Sequence, residues 1–382
     1  MKKALATILA LVMALALCSV SWAASTDLPQ ADENGVITLT DDVVLAAGEE
    51  INKAGTTQVT KIDLGGHKLS CAGGFVLDIY GDVTITNGTI EMTGAASGSA
   101  IWINNGAKVT IDNSVKVSAI GSVNNTSFAI AFDSNCDRAA LTFNGAIAGE
   151  NGVTINGNIT KNTNKISVNG TIDVTELALY LAGNGTTDIN NGASLKGDVG
   201  VEIRAGVLNI NGGTITSTGA NYNVTSNPGG ATTTGAALAV AEHTTNQGVT
   251  VNINGGTITN VAGGKAISVA NPEEKEEAKG ANVSVNGGTI SGDVKVGENV
   301  KSTVEGKEPL TVSGDYNMTK DSEGNYTIAK KPTSYYYYSP STTTPDTTKG
   351  SPKTFDAGIA LYVGMALTSA AGVAFVGKKR ED

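Results

Sequence analysis

The chain repeats one short sequence with small changes: Val249-Thr250-Val251-Asn252-Ile253-Asn254-Gly255-Gly256-Thr257-Ile258-Thr259. Close copies occupy residues 83–91, 166–174, 207–216 and 283–291, and looser copies occupy residues 141–147 and 153–160. In each copy, apolar residues alternate with polar ones up to an Asn-Gly pair, and an isoleucine follows shortly after that pair. Alternation places the apolar side chains on one face of a strand, and glycine adopts turn conformations easily. Each copy therefore predicts a strand, a corner and a second short strand.

A third alternating segment precedes most copies, at residues 100–103, 128–132, 177–181, 201–203, 238–240 and 267–269. Successive units begin roughly 20 to 30 residues apart, which is the spacing of solenoid repeats. One unit cannot bury its apolar face alone, but units stacked in parallel about 4.8 Å apart share an interior. An antiparallel meander with Asn-Gly hairpins is the alternative. We disfavour it because the segment after each corner is too short to pair along the segment before it.

The repeats at residues 60–304 resemble the right-handed parallel β-helix of the pectin-lyase-like superfamily. We therefore expect an all-β fold, a single-stranded right-handed parallel β-helix with capped ends. The resemblance implies inward ladders of Val and Ile, and stacked corner asparagines at Asn211, Asn254 and Asn286. It implies no particular activity, because this solenoid carries lyases, hydrolases, adhesins and inert stalks.

Both ends of such a solenoid need a cover, because they expose unpaired strand edges and apolar side chains. We expect residues 24–59 to form the N-terminal cap. At the other end, residues 305–330 are predicted to close the solenoid as a hairpin. In that hairpin, Leu310–Val312 would pair with residues 326–328 around the polar turn at residues 321–325.

The N-terminus has the features of an export signal. Lys2 and Lys3 precede an apolar run, and Ser21-Trp22-Ala23 forms a small-x-small cleavage site, so residues 1–23 are a predicted signal peptide. The formal net charge of −10 argues against nucleic acid as a partner, because such a partner needs a basic surface. Cys71 and Cys136 remain after cleavage, and we expect two buried thiols, with a disulfide as the alternative. The sequence indicates no cofactor and no metal site.

Three consecutive segments at the C-terminus are predicted to anchor the protein. Residues 331–356 form a linker rich in Pro, Thr, Ser and Tyr, residues 357–377 carry no charge and are long enough to span a membrane, and residues 378–382 begin with a basic cluster expected in the cytoplasm. The linker ends with the motif Ser351, Pro352, Lys353, Thr354 and Phe355.

Motif, apolar span and basic tail in this order resemble the cell-wall sorting signal of Gram-positive surface proteins. The resemblance implies that a sortase thiolate attacks the carbonyl of Thr354 and passes the chain to an amine of peptidoglycan. Phe355 stands where that family has Gly, so retention by the membrane span alone is the alternative. In either case the body of the protein is predicted to lie outside the cell.

Four residues on the outer surface of the third strand of the units, or directly after it, are candidates for ligand binding: Trp102, Tyr180, Glu202 and Arg204. Trp102 and Tyr180 are predicted to lie three units apart on one face, about 14 Å from each other at 4.8 Å per unit. Their flat rings suit stacking against sugars. We predict a non-enzymatic, adhesin-like surface protein that binds glycan or a host or matrix ligand. The alternative is a polysaccharide lyase or glycoside hydrolase acting through Glu202 and Arg204.

Overall fold

The computed structural model describes residues 26–94, 98–120, 127–224, 233–271 and 278–332. The predicted signal peptide, the motif Ser351 to Phe355, the apolar span at 357–377 and the basic tail lie outside these residues, as does the linker from residue 333 onward. The described residues form strands and connecting loops, with no α-helix among them. Accordingly, this part of the chain has no helix that is long and apolar enough to cross a membrane.

Three long sheets contain almost all strands, and the chain visits them in turn. The first sheet consists of Val36–Thr38, Lys61–Asp63, Val83–Thr86, Lys108–Ile111, Ala140–Phe143, Lys165–Val168, Thr186–Ile189, Gly206–Ile210, Val249–Ile253, Ala281–Val285 and Leu310–Val312. The second sheet consists of Val43–Leu45, Lys68–Cys71, Gly88–Met92, Val115–Ala119, Ala146–Gly149, Thr171–Val174, Ser194–Gly197, Thr214–Ser217, Thr257–Asn260 and Thr289–Ser291. The third sheet consists of Glu49–Ile51, Phe75–Ile79, Ser99–Ile103, Phe128–Phe132, Asn151–Ile155, Leu177–Leu181, Val199–Ile203, Ala236–Ala241, Lys265–Ala270 and Val294–Val296, followed by the antiparallel strands Asn325–Lys330 and Tyr316–Lys320. A small antiparallel pair, Asn223–Val224 with Thr233–Thr234, is inserted between Thr214–Ser217 and Ala236–Ala241.

Apart from the small inserted pair and the hairpin at the end of the third sheet, each strand pairs in parallel with its neighbour one unit along the same sheet, so this part of the chain is a stack of three-strand turns. Val249–Ile253 pairs with Gly206–Ile210 in the first sheet, and Thr257–Asn260 pairs with Thr214–Ser217 in the second sheet. The Asn-Gly corner between them therefore joins two different sheets and closes no hairpin. This topology fits a parallel β-helix, and the antiparallel meander is wrong.

The corner asparagines form a ladder along the stack. Hydrogen bonds of 2.8 to 3.4 Å run from each Nδ2 to the Oδ1 of the previous member. The members are Asn144, Asn169, Asn190, Asn211, Asn254 and Asn286. The expected stacking of the last three is confirmed, and the ladder extends three turns further. Gly256 follows in the corner with φ of 80°, and a Cβ there would lie 2.6 Å from the carbonyl oxygen of Gly212.

The interior is one continuous apolar cluster that reaches from Ile37 to Ile328. Like side chains repeat along it: Leu208 pairs with Val251, which pairs with Val283, and all three are buried. The predicted Val and Ile ladders are thus confirmed. Cys71 and Cys136 are buried free thiols in this cluster, and no disulfide joins them.

The ends differ from the sequence-based expectation. Within the predicted N-terminal cap, Val36–Thr38, Val43–Leu45 and Glu49–Ile51 already form the first parallel turn, because their alternation matches the next turn in register. Leu28 and Ala31, before these strands, pack against the core.

The C-terminal hairpin also uses a different first strand. Leu310–Val312 pairs in parallel with Ala281–Val285 and completes the first sheet. The hairpin instead joins Tyr316–Lys320 to Asn325–Lys330 through the predicted turn. Its second strand pairs antiparallel with Val294–Val296, so the hairpin covers the last edge of the third sheet.

Candidate functional site

The predicted aromatic pair lies on the outer face of the third sheet. Along this sheet Trp102 pairs with Ala131, Ala131 with Thr154, and Thr154 with Tyr180. Leu179 and Leu181 belong to the apolar cluster of the core and Tyr180 does not, but Tyr180 is itself buried, with 8% of its surface exposed, rather than open to solvent as the sequence predicted. The two aromatic residues therefore share one outward row, three turns apart, which corresponds to about 14 Å between their backbones at the usual strand spacing.

A cleft of about 600 Å³ lies between these aromatic side chains. Ala131 and Thr154 form its floor and are too short to fill the space above them. Phe128 adds a third ring, whose centroid is 6.2 Å from that of Tyr180, with an angle of 20° between the planes. The aromatic surface is therefore nearly continuous at the Tyr180 end of the cleft.

Two polar edges border the cleft. Gly98 and Ser99 lie on the side where the strands of the third sheet begin. Asn156, Gly157 and Asn158 lie on the side where these strands end, together with His243 and Thr244. The cleft thus offers side-chain amide, hydroxyl and imidazole groups beside its aromatic rings, an arrangement typical of sites that bind polar ring compounds.

His243 reaches the cleft on a loop that Glu242 anchors. The Glu242 carboxylate accepts hydrogen bonds from the backbone N–H groups of Gly248 (2.7 Å), Gly280 (2.8 Å) and Lys279 (3.2 Å). The N–H of Thr245 lies 3.3 Å from Nδ1 of His243 and donates to it, so a neutral ring carries its proton on Nε2. That ring packs directly on Gly157, since a Cβ at Gly157 would lie 2.6 Å from Nε2.

The sequence predicted that Glu202 and Arg204 face solvent, but the structure places both inside the protein. Both side chains are fully buried, although Glu202 follows Tyr180 in the outward row. Arg204 lies beneath the strand end and loop that carry His243. It donates hydrogen bonds from Nη1 to Oη of Tyr180 (3.4 Å), from Nε to the carbonyl of Ala241 (3.4 Å) and from Nη2 to the carbonyl of Glu242 (3.5 Å).

Arg204 therefore supports the cleft from behind. Its carbonyl oxygen also accepts the N–H of His243 at 2.7 Å, so one residue fixes both Tyr180 and the start of the His243 loop. Burial raises the pKa of the Tyr180 phenol above its ordinary value, and the neighbouring Arg204 charge opposes that rise. Tyr180 thus stays neutral at physiological pH and presents a ring edge and a hydroxyl group.

The row of outward positions is covered beyond Tyr180 and partly exposed beyond Trp102. Beyond Tyr180 the same row contains Glu202, Ala239 and Ser268, and all three are fully buried. On the other side the row continues to Asp78, which is partly exposed. Burial raises the pKa of the Asp78 carboxyl, although Tyr80 and Asn104 donate hydrogen bonds to it.

Sequence reasoning missed Phe128 and His243. Phe128 lies in a recognised strand, but at its start, where two consecutive inward residues follow and interrupt the alternation. His243 is separated from Tyr180 by more than two turns of chain, and only the folded loop brings it back to the cleft. A single histidine after a strand gives no local sequence signal that it will line a cleft formed by an earlier part of the chain.

None of the described residues that line the cleft carries a carboxylate, an amine or a guanidinium group. The described parts of the chain also contain no group of three or more His, Cys, Asp or Glu side chains placed to hold a metal ion. No protein family matches the chain, and no curated protein and no solved structure shows significant similarity to it.

Proposed function

We propose that this chain is a non-enzymatic bacterial surface protein that binds a neutral glycan in the cleft of the third sheet. The observation that carries the proposal is the combination of three aromatic side chains with uncharged polar edges. Aromatic planes stack on the apolar faces of sugar rings, while amide, hydroxyl and imidazole groups form hydrogen bonds with sugar hydroxyls. Trp102 and Phe128, which are partly exposed, would supply the planes, Tyr180 would add the accessible edge of its ring, and Asn156 and His243 would supply hydrogen bonds.

A neutral ligand is favoured over an acidic one. The described lining has no Lys or Arg to pair with a carboxylate or sulfate, and the chain has a formal charge of −10, which repels a polyanion. The ligand class proposed from the sequence, glycan or a host or matrix component, is thereby narrowed to an uncharged sugar polymer.

The alternative, a lyase or hydrolase acting through Glu202 and Arg204, has less support. Glycoside hydrolysis uses two carboxyl groups that flank the bond, about 5 to 9.5 Å apart. Glu202 and Arg204 lie behind the cleft and are fully buried, so a polymer in the cleft would not contact either of them.

The proposed location is the cell surface, with the body outside the cell. The support is the predicted signal peptide, the sorting motif from Ser351 to Phe355, and the apolar span followed by basic residues. Sortase and peptidoglycan are the proposed partners for anchoring, and the membrane is the partner if the span is retained. The coil is proposed to be right-handed, as parallel crossover connections almost always are.

A glycan array tests the binding proposal. The full chain is purified in a detergent without a sugar headgroup and applied to neutral and acidic oligosaccharides. We expect binding to neutral glycans, and a loss of about tenfold or more for Tyr180→Ala, which corresponds to about 1.4 kcal/mol. Lys116→Ala, on the outer surface of the second sheet, is the control and should bind as the wild type does. Preference for acidic glycans, or release of products, would contradict the proposal.

A further inference from the structure

We infer that the cleft binds the end of an extended neutral oligosaccharide that runs along the stacking axis, with its terminal unit at Tyr180 and its fourth unit at Trp102. This inference rests on the proposed function and specifies the ligand of the same site. Three observations on the described residues support it: the row that joins the two aromatic residues, the edges beside that row, and the closed end at Tyr180.

The spacing of the aromatic row matches an extended sugar chain. Trp102 and Tyr180 are separated by three strand steps of the third sheet. Each step is about 4.8 Å, and a β-1,4-linked pyranose advances an extended chain by a similar length, so three linkages span about the same length as three strand steps. A sugar ring in contact with the exposed edge of Tyr180 therefore places the fourth ring of the chain near Trp102.

The edges of the cleft favour this direction over a path across the strands. Ser99 and Phe128 stand at the beginnings of the strands, and Asn158 and His243 stand at their ends. A chain crossing the strands would meet one of these edges within a single strand length. A chain along the row passes over the short side chains of Ala131, which is buried, and Thr154, which is partly exposed, and both line the cleft.

The closed end determines which part of the polymer fits. Past Tyr180, the outward positions Glu202, Ala239 and Ser268 are fully buried, so other parts of the protein cover the continuation of the row. Tyr222 covers the row at Ser268, because its Oη shares a hydrogen bond of 2.8 Å with the Ser268 hydroxyl. Toward Asp78 the row stays partly exposed. Among the described residues the row stays accessible only past Trp102, so the polymer is expected to leave there and Tyr180 to receive a chain end.

The test is a series of oligomers titrated against the full chain in the same detergent. The probes contain one to six units of β-1,4-linked glucose or β-1,4-linked N-acetylglucosamine, two neutral series with extended chains. We expect affinity to rise up to four units and to change by less than twofold from four to six. Trp102→Ala should leave the Kd for the three-unit oligomer within twofold of the wild type and should abolish the gain at four units.

Two controls separate this effect from damage to the fold. Trp102→Phe keeps an aromatic plane and should retain part of the gain at four units. Val44→Ala removes apolar surface from the second sheet, where Val44 is exposed, and should change nothing. Because Trp102 points away from the core, thermal unfolding should be the same within a few degrees for all three variants and the wild type.

Six-unit oligomers that carry a bulky label at one end or at the other complete the test. We expect one of the two labels to abolish binding and the other to have little effect. Affinity that does not depend on length, equal losses for short and long oligomers in Trp102→Ala, equal binding of both labelled oligomers, or no binding of either series would each overturn the inference. A glycan array without any neutral hit would overturn the proposed function as well, whereas array hits combined with length-independent binding would overturn the inference alone.

Discussion

Replacing Gly157 by alanine places a methyl group where the His243 ring now lies. The new Cβ would be 2.6 Å from Nε2 and 2.7 Å from Cε1, while ordinary contacts begin at 3.4 Å. The ring must therefore move by about 0.8 Å, the amount by which a distance of 2.6 Å falls short of ordinary contact. Gly157 has no positive φ, so the substitution adds a steric change without backbone strain.

The displacement has a measurable effect on the site. Moving the ring stretches the bond from the N–H of Thr245 to Nδ1, already 3.3 Å long, beyond hydrogen-bond distance. Overpacking of this kind costs about 1–3 kcal/mol, here located in the loop that begins with Glu242. If His243 donates one hydrogen bond to a sugar hydroxyl, its loss weakens binding by about 0.5–1.5 kcal/mol, or roughly two- to twelvefold.

Isothermal titration with a four-unit neutral oligomer measures the change, and nuclear magnetic resonance of the His243 imidazole reports whether the ring moves. Gly314→Ala is the matched control, because Gly314 also lies in a turn without positive φ and a Cβ there meets nothing within 4 Å. We expect the control to bind normally. Equal affinities for Gly157→Ala, Gly314→Ala and the wild type would refute the placement of His243 in the binding cleft.

Three further predictions concern the support of the cleft and the stack. Arg204→Met should lower the free energy of unfolding by about 2–4 kcal/mol, because the carbonyls of Ala241 and Glu242 lose a buried donor. Arg204→Lys should not restore glycan binding, since an ammonium cannot make the same forked contacts. Unfolding of either variant at the wild-type denaturant concentration would contradict the supporting role of Arg204. Asn190→Ala should lower the free energy of unfolding by about 1–2 kcal/mol in denaturant titrations, and Asn286→Ala should lower it by less. The reason is that Asn190 both donates and accepts hydrogen bonds along the ladder, whereas Asn286 lies at its end. Equal losses of stability in the two variants would argue against the ladder. Burial raises the pKa of the Cys136 thiol to about 12, so it remains protonated at pH 8 and should resist iodoacetamide until the protein is unfolded; rapid labelling of the native chain would show that Cys136 is accessible.

The sequence predicted those features that depend on local repetition. The alternation around Asn-Gly pairs recurs along the chain, and this is sufficient to predict parallel stacking, inward ladders and the Asn211, Asn254 and Asn286 contacts. The same repetition fixes the register, so the sequence alone predicts that Trp102 and Tyr180 lie in one row.

Features that depend on loops could not be predicted in this way. Glu202 and Arg204 are buried because segments outside the repeated strands cover them. Alternation within a strand carries no information about such segments. His243 enters the cleft for the same reason. Leu310–Val312 was misassigned because a three-residue alternating segment looks the same in a hairpin as in a parallel turn, and the choice depends on the partner available at the end of the stack.

The most direct test of glycan binding in this cleft uses the fluorescence of Trp102. The sequence contains two tryptophans, Trp22 and Trp102, and Trp22 lies in the predicted signal peptide, so a chain that begins at Ala24 reports from Trp102 alone. Stacking of a sugar on the indole ring removes water from it, and we predict a saturable blue shift of the emission on titration with a neutral oligomer of four or more units. The shift should saturate at the Kd that calorimetry gives and should need a much higher oligomer concentration in Tyr180→Ala. Glycan binding detected by calorimetry without any change in Trp102 emission would place the ligand elsewhere and would contradict the proposed site.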